Sequence, residues 1–390
     1  MIIPKLAIRN LLGAGIRTWL NVIVLSLSYV VIIWTQGLYQ GMNEQISRAK
    51  IDSEIGGGQF WQENYDPYNP LCLDEAHSVM PPEIKKLIRK KQAVPILVVQ
   101  GSIYPGGKVL PVVLKGIDPS QTILNIPTQY LLDSSEEITA IIGTRMAKMA
   151  RLKEGDYVTV QWRDVDGTFD AREIKIAKIF QTQVQTIDNN QLWLSLPVLQ
   201  KLTGMHDQAT LVVISPELQN VPSTAGWKFQ STEVLLADLA ELVKTKSVGA
   251  SIFYLVLLFL AMLAIFDTQV LSIFRRRKEM GTLMALGMTR AQIIQLFTLE
   301  GATHSILAAL VAAIYGIPLL VYSAKSGLAM PQSYDSYGLA LGDKLFPVYS
   351  TGLVIGTTLL IFVITTIVSY LPTRKIAKLK PTDALRGKYL

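Results

Sequence analysis

The chain has 390 residues and a formal net charge of +7; half of it is apolar and 17% is charged, against about 25% charged in ordinary soluble domains. Such a balance excludes a plain soluble domain, and the apolar content must sit in long runs. The basic excess is not a nucleic-acid footprint, because no basic patch interleaved with aromatics occurs and fourteen of the Lys and Arg residues flank the apolar runs.

In chain order, residues 1–17 place Ile3, Leu6, Ala7, Leu11 and Leu12 at helical spacing, with Lys5 and Arg9 elsewhere. That pattern predicts an amphipathic helix in the inner membrane interface; a plain extension of the following span fits as well. Residues 18–39 form the first apolar run. It is longer than a signal-peptide core and lacks a small-residue cleavage pattern, so it reads as an uncleaved anchor. Three more runs follow at 251–274, 301–322 and 348–371. None of the four contains Lys or Arg, and each matches the roughly 20 residues a helix needs to cross a hydrocarbon core of about 30 Å.

Orientation comes from the flanking cations. Lys5, Arg9 and Arg17 precede the first span; Arg275, Arg276, Arg277, Lys278 and Arg290 lie between the second and third; six more follow the fourth. The 323–347 loop has only Lys325 and Lys344, balanced by Asp335 and Asp343. Both termini and the 275–300 connection are therefore expected in the cytoplasm, with 40–250 and 323–347 outside and 372–390 as a cytoplasmic tail. The expected fold is a membrane α-helical protein with four transmembrane helices plus a mixed α/β extracytoplasmic domain inserted between helices 1 and 2.

Within 40–250, Ala93–Tyr104 and Lys108–Lys115 flank Pro105-Gly106-Gly107 and predict a hairpin. Strands are predicted at 137–142, 157–163, 171–180, 192–194 and 210–214. Helices are predicted at 144–150, capped by Thr144, and at 197–202. From about Ser231 the pattern turns helical and runs into the second span. The stretch Gly56–Cys72, rich in Gly, aromatics, Asn and Pro, reads as a loop that could contact a partner or substrate. Cys72 is the only cysteine, so no intrachain disulfide forms.

The sequence carries no catalytic engine. It has no phosphate-binding loop of the G-x-x-x-x-G-K-[ST] kind. His77, His206 and His304 match no metal-ligand spacing, and no G-x-S-x-G nucleophile elbow occurs. Two acidic residues fall in or beside the spans. Asp267 lies about eight residues, roughly 12 Å of helix rise, before the Arg cluster, and suits an interhelical hydrogen bond or a snorkelling acid. Glu300 opens the third span one turn from His304 and reads as interfacial.

The segment Arg275–Glu300, RRRKEMGTLMALGMTRAQIIQLFTLE, is the most distinctive. A short helix over 278–286 would place Met280, Leu283 and Leu286 along one side. Gly287 would end it and Thr289 would cap the next. Arg275, Arg276, Arg277 and Lys278 form a basic anchor. Such a segment suits contact with a soluble motor, or an interfacial loop held by anionic membrane lipids.

That segment resembles the signature of the MacB/FtsX-like ABC transporter permeases (the type VII fold), R-R-x-E-x-G-x-L-x-A-L-G-x-x-x-x-Q-I. Arg276, Arg277, Glu279, Gly281, Leu283, Ala285, Leu286, Gly287, Gln292 and Ile293 fit it, and Glu300 matches an acidic residue of the family. The opening Leu6–Leu11, the closing Lys380–Arg386 and the stretch 142–158 are similar to the family's ends and outer-domain segment. Asp267 departs from it, since relatives often carry Asn there. The resemblance implies an ATPase-coupling helix comprising Glu279, Met280, Gly281, Leu283, Ala285, Leu286 and Gly287. It implies a cytoplasmic ABC ATPase dimer that binds the ATP and Mg, so that this chain is a non-catalytic subunit without cofactors. It also implies a second permease, the same chain or a related one, and residence in a bacterial inner membrane. The size is closest to the LolC/LolE lipoprotein-releasing type, in which the outer domain is moved by mechanotransmission. Peptide or antibiotic efflux with a periplasmic adaptor, and signalling to a cell-wall hydrolase, are the alternatives; a periplasmic carrier is the third possible partner class.

Overall fold

The computed structural model describes residues 15–131, 137–218, 221–329 and 344–376. The predicted helix over 1–17 lies almost wholly outside these residues, as do most of the 323–347 connection and of the 372–390 tail. The chain divides into a helical unit (Met1–Met42, Val243–Ala329, Leu345–Leu390) and a sheet unit (Asn43–Leu242, Met330–Lys344).

Three helices among the described residues are long and apolar enough to cross a membrane: Trp19–Ile55, Arg290–Ser326 and Thr351–Arg374. The remaining predicted span, the second (251–274), falls inside one continuous helix, Thr232–Arg275, whose described apolar stretch is Ser251–Leu260. In the helical unit the first helix, Ile16–Lys50 (α1), supplies Val22, Leu25, Tyr29, Val30 and Ile32 to a core shared with Leu258, Ala308, Ala312, Ile361 and Val368. Small and polar residues set the spacing, as they do where lipid gives helices no hydrophobic reason to associate. A Cβ on Gly316 would lie 2.6 Å from Val30 Cγ2. Tyr29 Oη and Ser305 Oγ are hydrogen-bonded at 2.7 Å. Gly41 lets α1 pass against the Phe346 carbonyl, which any side chain there would overlap.

The main sheet of the sheet unit has nine described strands: β1 Gln59–Gln62, β2 Ala93–Ile103, β3 Leu110–Ile117, β4 Thr139–Gly143, β5 Tyr157–Arg163, β6 Phe169–Phe180, β7 Gln191–Ser195, β8 Leu211–Ile214 and β9 Trp227–Gln230. Their order is β9-β1-β8-β2-β3-β7-β4-β6-β5, and β5 pairs back onto β2. Six strands therefore close on themselves, with β3–β7 and β4–β6 parallel. Closure is possible because β2 is eleven residues long and forks: Ala93–Ile96 pair with β8, while Gly101–Ile103 pair with both β3 and β5.

Alternation sorts the side chains. Leu97, Leu114, Ile142, Val160, Ile174 and Leu194, one from each closed strand, share one buried cluster. Their neighbours Ile96, Val98, Ile117, Ile141 and Trp193 face the other way, into a second cluster under Leu73, Leu124 and Ile126. Lys115 is buried on that second face with Nζ 5.1 Å from the Trp193 ring centre, and burial pushes its pKa down.

Two local readings are corrected. The stretch Gly56–Cys72 is not all loop, since it contains β1, held between β8 and β9. Its glycines are there for clearance: Gly58, at φ 129, sits where a Cβ would meet Phe229 and the Gln230 carbonyl. Thr144 does not cap the helix Thr144–Ala150, because its hydroxyl donates to the Phe180 carbonyl at 3.2 Å. Asp188, from a distant helix, accepts from the Arg145 N–H at 3.0 Å and takes the capping role.

Candidate functional site

The connection between the second and third long helices is built from three stop-and-start signals. Thr232–Arg275 (α6) ends at Arg276, whose backbone leaves helical geometry (φ −96, ψ 16). A nine-residue helix, Arg277–Ala285 (α7), follows. Gly287, at φ 97, closes it with two hydrogen bonds, Met288 N–H to the Leu283 carbonyl (3.0 Å) and Gly287 N–H to the Met284 carbonyl (3.1 Å). This is the double closure that a left-handed glycine permits. Two residues later Thr289 opens the helix Arg290–Ser326 (α8) with a reciprocal capping box to Gln292.

Arg276 organises the interior of this elbow. Its Nε donates to Glu279 at 2.7 Å, and its Nη1 donates to both Glu300 oxygens at 3.1 and 3.0 Å. The guanidinium carbon lies 5.1 Å from the Phe297 ring centre, a cation–π geometry. Glu300 is almost fully enclosed, with 5% side-chain exposure against 22% for Arg276. The His304 ring approaches the Glu300 carbonyl at 2.8 Å. One charge pair thus ties the end of α6 to the wall of α8, in the delocalised, fork-shaped manner for which Arg is suited. The sequence treats Arg276 as one of four anchoring cations and Glu300 as interfacial. The structure turns Arg276 inward and buries Glu300 against it, while Arg275 and Lys278 stay exposed. The available signal was the family-like acid placed 24 positions after an Arg across a helical elbow.

The expected apolar stripe is also redistributed. Met284 and Met288 turn inward onto Ile293 and Phe297. Leu283 is half-buried, Gly281 is buried, and Leu286 is 79% exposed at the tip of the elbow beside exposed Ala285 and Gly287. The side chains of Met280 and Arg277 lie outside the described residues. Asp267 is exposed on α6, away from this cluster. The elbow pairs no nucleophile with a base among the described residues. Among the described residues no group of three or more His, Cys, Asp or Glu could hold a metal.

The FtsX-like permease C-terminal family model matches residues 251–381, which contain the whole elbow. The chain carries an FtsX-like permease domain. Across 279 residues it is 22% identical to an uncharacterized ABC transporter permease of Methanocaldococcus jannaschii, covering 66% of this chain and 64% of that relative. The likeness to a permease thus rests on residues 251–381 and on a match that spans less than two thirds of that relative's length. The extracellular domain of the noncanonic ABC-type transporter YknZ from Gram-positive bacteria overlaps 42% of this chain and 84% of its own, at 13% identity. Its TM-score of 0.27 is too low to bear on the fold.

Proposed function

We propose that this chain is the permease half of an ATP-driven transporter, in which the elbow Arg277–Gly287 rests on a separate cytoplasmic ABC ATPase dimer that binds ATP and Mg. The observation that carries this reading is the exposed Leu286 on a stiffly closed elbow inside an FtsX-like domain. Movement of the elbow acts on α6 through Arg276, and α6 is one uninterrupted 44-residue helix that begins directly after the last strand of the sheet unit. Energy released at the ATPase therefore reaches an outer domain by displacement of a helix, without a chemical step in this chain. Four spans, cytoplasmic termini, a bacterial inner membrane and a pairing with a second permease belong to the same reading. So does release of lipoproteins or other amphipathic molecules from the membrane. Peptide efflux through an adaptor or control of a cell-wall hydrolase would use the same movement and differ only in the outer partner.

The test is Leu286→Asp in the full chain, co-expressed and co-purified with a cytoplasmic ABC ATPase from the same source that the wild-type chain retains. A carboxylate on the docking surface should cut ATPase retention by tenfold or more, as loss of an anchoring side chain does. Exchange of Leu286 for Met should retain it. Retention unchanged by Leu286→Asp removes the coupling assignment.

A further inference from the structure

Three features of the sheet unit meet at one rim. The first is a cavity of about 510 Å³ where β2 forks, lined among others by Pro70, Asp74, Gln100, Gln161, Arg163 and Phe169. The second is a set of large apolar side chains left in the open beside it: Tyr68 (75% exposed), Leu71 (84%) and Phe169 (68%). The third is charge. The two segments that frame the cavity, 63–75 and 163–172, hold seven carboxylates against only Arg163 and Arg172. One of those two cations is spent internally, since Arg163 Nη1 donates to Asp74 at 3.0 Å and so clips the segments together.

The apolar groups do not dangle. Asp66 Oδ1 accepts from the Tyr68 N–H at 2.9 Å, and Asn69 Oδ1 accepts from the Leu71 N–H at 3.2 Å. The Cys72 thiol bonds the Asp66 backbone, and Gln100 Nε2 holds the Pro70 carbonyl at 3.0 Å. Fixing exposed aromatic and aliphatic groups in place lowers the entropy cost of covering them, which is how binding anchors are prepared. A monomeric surface rarely leaves such groups together unless something covers them. The surrounding carboxylates select what that is, because complementary charge steers encounter and rejects like-charged partners.

We propose that this rim is a docking surface for a basic, apolar-bearing segment of an extracytoplasmic partner protein. The apolar anchors take Tyr68, Leu71 and Phe169, Lys or Arg side chains face the carboxylates, and the cavity receives one side chain of the partner. This deepens the transporter reading, on which it rests only for placing the sheet unit outside the membrane.

The test uses the full chain in phosphatidylcholine nanodiscs and a fluorescein-labelled short peptide alternating Lys and Leu, with Lys/Ser and Glu/Leu peptides as comparisons. Polarisation should report saturable binding of the Lys/Leu peptide above that of empty nanodiscs. Both Tyr68→Ser/Phe169→Ser and Glu75→Lys/Asp170→Lys should weaken it about tenfold or more, and added salt should weaken it further. These positions are exposed, so the variants keep the fold. Three results overturn the proposal: equal binding by the variants, equal binding of the Glu/Leu peptide, or a signal that empty nanodiscs reproduce. Leu286→Asp should leave peptide binding untouched, so failure here and failure of ATPase coupling are separate outcomes.

Discussion

Glu300→Gln is the sharpest probe of the elbow. The substitution keeps shape and removes the charge that two Arg276 contacts rest on. Removing one partner of a buried ion pair costs about 3–5 kcal/mol, because the other charge is left stranded. Here the loss is smaller: Arg276 is 22% exposed and keeps its bond to Glu279. A cost of about 2 kcal/mol follows, equivalent to a roughly 30-fold rise in local opening. Hydrogen exchange of amides 277–288 in the full-length protein reads this directly, since those amides report opening of the elbow and not of the whole chain. The double change Arg276→Met/Glu300→Leu should recover most of the protection, because an apolar pair of similar volume replaces a desolvated ion pair at little net cost. Exchange in Glu300→Gln that matches wild type, or a double variant as damaged as the sum of its parts, would refute the view that the pair holds the elbow.

Gly41→Ala should lower the unfolding temperature of the helical unit by the equivalent of about 1–3 kcal/mol, as its methyl would overlap the Phe346 carbonyl; thermal unfolding in detergent measures it. Thr289→Ala removes the hydroxyl half of a capping box and should cost about 1 kcal/mol, seen as faster exchange confined to the first turn of α8. Lys115→Met should stabilise the sheet unit by on the order of 1 kcal/mol. Burial depresses the Lys115 pKa in the fold, so below its folded pKa the fold carries the cost of a desolvated charge. That cost is relieved as pH climbs toward the unfolded value near 10.4. The stability gap between wild type and Lys115→Met should therefore narrow as pH rises through the alkaline range toward the unfolded pKa.

Local patterning made much of the architecture readable. The turn at Pro105–Gly107, the alternation along β5 and β6 and the helical continuation from Thr232 are set by neighbours a few residues apart, so period and turn chemistry reveal them. Features set by distant partners were not readable. β1 looks like a glycine-rich loop because its pairing partners, Leu211–Val213 and Trp227–Gln230, lie some 150 residues away. The closure of β5 onto β2 at Gly101 has no local signature, and neither does the cap supplied to Arg145 by Asp188. At the elbow, the helix stop at Gly287 and the start at Thr289 were legible from residue type. The inward turn of Arg276 was not, because a run of four cations gives no sign of which one meets an acid across the bend.

The back-to-back closures around Gly287 have a consequence for compliance. Between the last bonded turn of α7 and the capping box of α8 only Leu286, Gly287 and Met288 intervene, and hydrogen bonds claim the backbone N–H of each of them. Such a joint has almost no slack. On the coupling proposed above, a push on Leu286 would pass through these bonded residues to α8 and, through Arg276, to the end of α6.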